Sequence, residues 1–413
     1  MTGLRRNLTF KAEKYLEIFP VIVFLGVRQC GKTTISRQLR PEWDYFDLEK
    51  SSDFDFITGN FDFFFREYNK HIIIDEAQQS PQLFRELRGV IDADRRINGR
   101  FILTGSSSPA LIKEITESLT GRVGIIEIGP MKINELHGIP VSPLYEIIQG
   151  EIDNRTMDKL LHLDIRYSYD EVINKFLTGG YPYPVLQKDP EVFDIWMENY
   201  FRTYLQQDIR SKFPKLNDIN YRRFISMLSQ LSGSIINKND LGRTLSCSEV
   251  TVSQYLNIAD GTYVWRSLSS YEKSVSKSIV KRPKGHMRDS GLNNFLLGLD
   301  SRDKLLKHPR AGNLFEAFII EEILMGMEST IQTGWQPYYF RTRNGAEIDL
   351  ILDGKNGTLP IEIKLGVSNT IKDLTSLTRF LDNNNLPLGI VVNNSSRVKK
   401  LSDRIIQIPA GCL

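Results

Sequence analysis

The stretch Val21-Ile22-Val23-Phe24-Leu25-Gly26-Val27-Arg28-Gln29-Cys30-Gly31-Lys32-Thr33-Thr34 decides the fold. Its first five residues are aliphatic or aromatic without alternation, the pattern of a short strand buried in a parallel sheet. The nine that follow, GVRQCGKTT, form a complete Walker A loop, and residues 31–39 read as a helix start. A loop between a strand and a helix N-terminus turns unpaired backbone N–H groups and the positive end of the helix dipole toward an anion. In this reading Gly26 and Gly31 let the backbone wrap phosphates, and Lys32 reaches the β- and γ-phosphates. The Thr33 hydroxyl ligates Mg2+, and Thr34 completes the nucleotide-binding set. The expected cofactors are ATP and Mg2+.

Working outward, His71-Ile72-Ile73-Ile74 is a second apolar run and ends in Asp75-Glu76. A strand-end aspartate is placed to hold the metal, and the adjacent Glu76 to activate the attacking water, since phosphoryl transfer needs positioning and charge neutralisation more than covalent chemistry. A third run, Arg100 to Leu103, ends in Thr104-Gly105-Ser106-Ser107-Ser108. Thr104 is the candidate for contact with the γ-phosphate or the attacking water, with Ser106 next. Arg122 precedes a further run, Val123 to Ile128, and reads either as a surface charge or as a phosphate-sensing arginine acting in cis or on a neighbouring subunit. Apolar runs near 21–25, 44–48, 71–74, 100–103 and 123–128 alternate with helical segments near 31–39, 60–68, 80–95 and 108–119. That rhythm predicts an α/β fold with helices on both faces of a parallel sheet.

These residues, GVRQCGKTT, IIIDEAQ, FILTGSS, SLTGR and IGPMKINEL, resemble the archaeal and bacterial AAA+-type ATPases that carry a C-terminal domain of unknown function. The resemblance continues through Phe176-Leu177-Thr178-Gly179-Gly180-Tyr181-Pro182, Arg288-Asp289-Ser290-Gly291-Leu292 and Asn313-Leu314-Phe315-Glu316. It implies a P-loop NTPase (AAA+-like) sheet, a winged-helix module and a restriction-endonuclease-like α/β end. It also favours Arg122 as a nucleotide sensor or finger. The expected division is an ATPase domain over 1–150, a helical lid or linker over 151–215, a winged-helix (helix-turn-helix) domain over 216–300 and a nuclease-like domain over 301–413.

In the middle of the chain, residues 130–165 read as an irregular stretch closing the ATPase sheet. Trp196, Tyr200 and Tyr204 recur at four-residue spacing, as a stripe packing on the ATPase. Phe224 to Leu231, Asn239 to Leu245 and Glu249 to Asn257 read as the helices of a helix-turn-helix. Ser246-Cys247-Ser248 forms the turn, Ser248 the N-cap, and Val250, Val252 and Leu256 the packing residues. Residues 266–288 hold Arg266, Lys273, Lys277, Lys281, Arg282, Lys284 and Arg288 against one acid, Glu272. That run is a candidate phosphate-backbone footprint and makes DNA the expected partner. The alternative is a packing or protein-docking module.

Toward the C-terminus, Gly345 to Leu352 and Leu359 to Leu365 read as a hairpin carrying Asp349 on one strand and Glu362-x-Lys364 on the next. Period-two spacing puts Glu362 and Lys364 on one face, with Asp349 opposite. Two carboxylates suit a hard cation, and the lysine can activate water. The pattern resembles the PD-(D/E)xK nuclease core, with Glu316 on the helix Leu314 to Leu324 as its extra acid. Metal-dependent cleavage and a catalytically silent domain with a Glu362–Lys364 pair both remain open here.

Composition limits the rest. With 41% apolar and 25% charged residues and a net charge of +3, the chain is an ordinary globular one, and any nucleic-acid argument must be local. Three separated cysteines fit a reducing compartment without a disulfide framework. No apolar run approaches the ~20 residues of a membrane span. The N-terminus lacks the apolar core of a signal peptide, so the expectation is a cytoplasmic protein. The sum is an ATP-hydrolysing protein that binds and remodels or processes DNA, assembled as a homo-oligomer or ring if Arg122 acts in trans. The alternative is a nucleotide-gated DNA- or protein-binding scaffold.

Overall fold

The computed structural model describes residues 4–106, 109–210, 212–214, 216–272, 281–367 and 371–413. The chain forms two compact units, one of residues up to Met131 with Gly261–Tyr263, the other of Lys132–Asp260 with Val264–Leu413. Ser107, Ser108, Lys273 and Lys277, named above, lie outside the described residues.

In the first unit the apolar runs become β1 (Val21–Gly26), β2 (Asp44–Asp47), β3 (Ile72–Asp75), β4 (Phe101–Ser106) and β5 (Val123–Ile128). All pair in parallel in the order β2-β3-β4-β1-β5. Parallel strands need crossover connections, and the helices supply them, which is why β1, β3 and β4 are buried along their whole length. On one face Val21, Val23, Ile72, Ile74, Phe101 and Leu103 pack with Phe64, Leu87 and Ile115. The order places the C-terminal end of β4 between the phosphate loop after β1 and the acids after β3.

In the second unit one sheet runs across the expected boundary at 300/301. β6 (Ser234–Ile235), β7 (Trp265–Ser270), β8 (Lys284–Met287), β9 (Gln336–Arg341), β10 (Glu347–Gly354), β11 (Gly357–Ile363), β12 (Gly389–Asn393), β13 (Lys399–Ser402) and β14 (Ile405–Pro409) form one nine-stranded sheet. The join is β7 beside β9, parallel, with Ser269 opposite Tyr338. The segments expected as a separate helix-turn-helix domain and nuclease-like domain therefore share a single sheet. Residues 132–165 do not close the ATPase sheet. Their apolar side chains (Leu144, Tyr145, Ile148, Leu160) pack with Phe315, Ile319 and Leu350 of the second unit, and Ser142 donates to Cys412 O at 2.6 Å. The aromatic stripe also turns inward on its own unit. Trp196 stacks on Tyr200 at 4.9 Å between centroids, and the Tyr204 and Tyr221 hydroxyls meet at 3.0 Å.

The helices Asp218–Leu231, Lys238–Leu245 and Glu249–Gly261 stand near the expected places. Ser246 takes φ 52° in the turn, and Ser248 Oγ caps the third helix by accepting from Thr251 N–H at 3.1 Å. Val250 is a correction: it is 68% exposed, while Val252 and Leu256 are buried as expected.

Candidate functional site

The first unit gathers most of the residues singled out around the phosphate loop. Gly26 lies against β5 so closely that an added Cβ would come within 2.0 Å of Ile128 O. Gly31 takes φ 94° as N-cap of the helix Lys32–Leu39, a left-handed conformation that glycine adopts without penalty. Lys32 is buried, and its Nζ donates to Gly26 O at 3.2 Å and Val27 O at 3.0 Å, so the ammonium sits in the loop's own concavity. Thr34 is exposed on the first turn of that helix.

Three hydroxyls converge on Asp75. Thr33 Oγ1 and Tyr45 Oη each donate to Oδ2 at 2.7 Å, and Thr104 Oγ1 donates to Oδ1. Thr104 also accepts the Glu76 N–H at 3.2 Å, so it braces both acids instead of standing apart from them as a phosphate contact. Ser106, the second candidate, ends β4 beside Gly26 and is buried. Glu76 takes φ 53°, sparsely populated for a non-glycine residue, and its carboxylate accepts from Gln78 Nε2. Burial pushes the Glu49 carboxyl up, and the Glu76 charge adds to that while Arg28 opposes it. Burial also raises the Tyr45 phenol, helped by Asp75, so it stays a hydrogen-bond donor. The arrangement can hold a triphosphate on the loop, a cation between Thr33 and Asp75, and a water against Glu76.

Two residues escaped the sequence reading. Tyr45 looked like part of an apolar run, yet its hydroxyl shares Asp75 Oδ2 with Thr33. Arg6 is buried and clamps the loop from outside, donating to Cys30 O at 2.6 Å and Gly129 O at 2.8 Å. An arginine ahead of the first strand carried no signal, because the contact depends on the fold bringing it back.

Arg122 is not brought to the loop of its own chain. It precedes β5, whose first residue pairs with Val21, while the loop follows Gly26 six residues further along the same parallel pair. At ~3.3 Å per residue the separation is roughly 20 Å. Arg122 instead grips Asp92 in bidentate fashion, Nε to Oδ1 at 2.7 Å and Nη2 to Oδ2 at 3.0 Å, and holds that carboxyl down at about 2, with Arg95 assisting. The register places Arg122 at the opposite end of β5 from the loop.

The second unit brings the nuclease-like residues together, but around a lysine. β10 and β11 pair with Leu350 opposite Ile361, which places Asp349 beside Glu362, and a register shift between Ile348 and Ile351 bends the strand there. Asp349 Oδ2 accepts from Ile363 N–H at 2.8 Å, and Lys364 Nζ donates to Glu362 Oε1 at 2.6 Å. Lys284 Nζ reaches Glu316 Oε1 at 2.5 Å, Glu347 Oε1 at 2.7 Å and Asp349 Oδ1 at 3.7 Å. Burial works against this ammonium, but Glu316, Asp349 and Glu347 outweigh it and hold its pKa above the ordinary lysine value. Burial, with Asp349 second, pushes Glu316 up to about 8 despite Lys284. Glu362 is raised by burial and by Asp349 against the pull of Lys364. Among the described residues no group of three or more His, Cys, Asp or Glu is arranged to hold a metal ion.

The basic segment is partly turned inward, while Lys281 and Arg282 stay exposed. Arg266 and His286 bond Glu321, Arg288 lies 3.6 Å from it, and Lys281 pairs with Glu272. Burial opposes the Glu321 charge, yet Arg266 and Arg288 hold its pKa low, and burial keeps His286 below its usual value. Of the run read as a phosphate footprint, Arg266, Lys284 and Arg288 serve as internal counter-charges.

Three family models match successive parts of the chain. Residues 19–137 match the family model described as AAA domain, residues 169–303 a domain of unknown function (DUF8612) and residues 311–413 a domain of unknown function (DUF4143). Uncharacterized proteins of Mycobacterium tuberculosis and Mycobacterium bovis are each 27% identical over 409 residues, 98% of this chain and 83% of theirs. Among solved structures, a Walker-type ATPase of Pyrococcus abyssi aligns with TM-score 0.39 and 17% identity over 71% of this chain and 95% of that one. A RuvB variant of Thermotoga maritima aligns with TM-score 0.26 and 16% identity over 63% and 88%. Among the described residues no helix is long and apolar enough to cross a membrane. The chain thus carries a segment that matches an AAA domain, residues 19–137, ahead of segments that match two domains of unknown function, the last of them DUF4143.

Proposed function

We propose that the chain hydrolyses ATP with Mg2+, and that the nucleotide state governs its hold on a macromolecular partner. The observation that carries the catalytic part is the convergence of Thr33, Tyr45 and Thr104 on Asp75 beside the Lys32 loop, with Glu76 adjacent. Lys32 and the loop N–H groups hold the phosphates, Thr33 and Asp75 hold Mg2+, and Glu76 orients and deprotonates the attacking water. Mg2+ held by Thr33 and Asp75 would supply positive charge against the negative charge developing as the γ-phosphoryl group leaves. The direct test is release of phosphate from Mg·ATP by the purified chain, compared with Lys32→Ala and Glu76→Gln. Phosphate release at the wild-type rate by Lys32→Ala would end this reading.

For the partner, DNA is the reading we carry forward, as a binding rather than a cleaving activity. The order helix, short strand, helix, turn, helix, then β7–β8 is that of a winged helix, and the third helix exposes Glu249, Val250, Gln254 and Asn257. Polar side chains on such a face can reach base edges and phosphates. Binding of duplex or branched DNA that weakens steeply with salt supports it. No binding at low salt rejects it in favour of a protein-docking scaffold. Arg122, far from its own loop, contributes only if a second copy meets it, so oligomerisation is part of the same proposal. ATPase rate per chain that rises with protein concentration in the wild type, and not in Arg122→Ala, is the expected result.

A further inference from the structure

Glu316, Asp349, Glu362 and Lys364 meet the sequence requirement for a metal-dependent nuclease, but their arrangement does not fit the metal. We infer that the Lys284 ammonium is the resident cation of this cluster, and that the C-terminal unit is built around it as a metal-free ionic core. Lys284 is 2% exposed and sits among three carboxylates, at 2.5 Å from Glu316, 2.7 Å from Glu347 and 3.7 Å from Asp349. Its position is set by two strand ladders, since it pairs with Ile235 of β6 on one side and Leu268 of β7 on the other. The ladders fix the backbone on both sides of Lys284, and with it the face of the sheet from which the ammonium reaches the acids.

Part of the oxygen set that a metal would use is already engaged. Asp349 Oδ2 accepts from Ile363 N–H, Glu362 Oε1 accepts from Lys364, and Asp349 Oδ1 faces the Lys284 ammonium at 3.7 Å. Glu362 Oε2 is buried without a protein hydrogen-bond partner. A divalent ion beside a fixed ammonium also meets direct charge repulsion in a low-dielectric site. The cluster instead ties β8 to the helix Ala311–Glu328 and to β10. The same helix makes a second such tie through Glu321 to Arg266 and His286. The inference does not rest on the ATPase reading.

The test is Mn2+ titration of the nucleotide-free full chain, followed by loss of the free-ion EPR signal, with Asp349→Asn beside wild type. The two curves should superimpose. In Lys284→Met one Mn2+ per chain should bind at least tenfold more tightly than to wild type, and Lys284→Met/Asp349→Asn should lose it. Mn2+ uptake by the wild type that Asp349→Asn removes overturns the inference, and that arm decides even if Lys284→Met does not fold. A folded Lys284→Met protein that gains no Mn2+ site also overturns it.

Discussion

Asp75 and Asp349 are both buried strand aspartates, yet their surroundings differ in kind. Asp75 accepts from the hydroxyls of Thr33, Tyr45 and Thr104, which orient the carboxylate without cancelling its charge. Asp349 faces the Lys284 ammonium beside Glu316, with Glu362 tied to Lys364. Neutral donors leave a carboxylate poised for a cation, whereas an ammonium already supplies one. Residue type and spacing announce an acid; the charge of its hydrogen-bond donors decides whether it is a metal ligand or half of an ion pair.

The comparison breaks most visibly at the first site. Glu76→Gln should bind ATP while its turnover falls by about 10²–10⁴-fold, the usual contribution of a positioned general base. Lys32→Ala should lose ATP binding altogether. Calorimetric binding and phosphate release measure both, and full turnover by Glu76→Gln would remove that residue from the role.

At the second site the expected effect is on stability. Lys284→Met strands buried carboxylates and should destabilise the protein by roughly 3–5 kcal/mol in urea unfolding. Lys284→Met/Asp349→Asn should recover part of that loss, because one unpaired charge is removed with its partner.

The pH dependence sharpens the same point. Glu316 titrates at about 8 in the fold against 4.5 in the unfolded chain. Between those values the folded state retains a proton that the unfolded chain has released. Its contribution is therefore fully present below 4.5 and is lost as pH rises through 8. Thermal stability should fall between pH 5 and pH 9 in the wild type, and Glu316→Gln should flatten that fall.

The smallest effect belongs to Tyr45. Tyr45→Phe removes one of three hydroxyls from Asp75, a loss of about 1 kcal/mol, and should weaken the apparent Mg2+ affinity for ATP hydrolysis several-fold without unfolding the sheet. An unchanged Mg2+ dependence would reduce Tyr45 to packing.

The parallel sheet was legible because its strands are short apolar runs, with β1, β3 and β4 buried along their whole length, and β1, β3, β4 and β5 fall within a residue or so of the expected starts. Lys32, Thr33, Asp75 and Glu76 were legible because local spacing places them. Arg122 was not, since a residue before a strand carries no sign of which sheet end it joins. The pairing of β7 with β9 was not legible, because a parallel pairing across almost seventy residues leaves no local trace. Lys284 failed for a related reason: a lysine in a basic run looks solvated until the fold sets three acids around it.

The most direct measurement counts divalent ions on the full chain: Mn2+ titrated with and without a non-hydrolysable ATP analogue, for wild type, Asp75→Asn and Asp349→Asn. One ion should bind per chain, only with the nucleotide, unaffected by Asp349→Asn and abolished or greatly weakened by Asp75→Asn. An ion that binds without nucleotide and disappears in Asp349→Asn would contradict the distinction between the two aspartates.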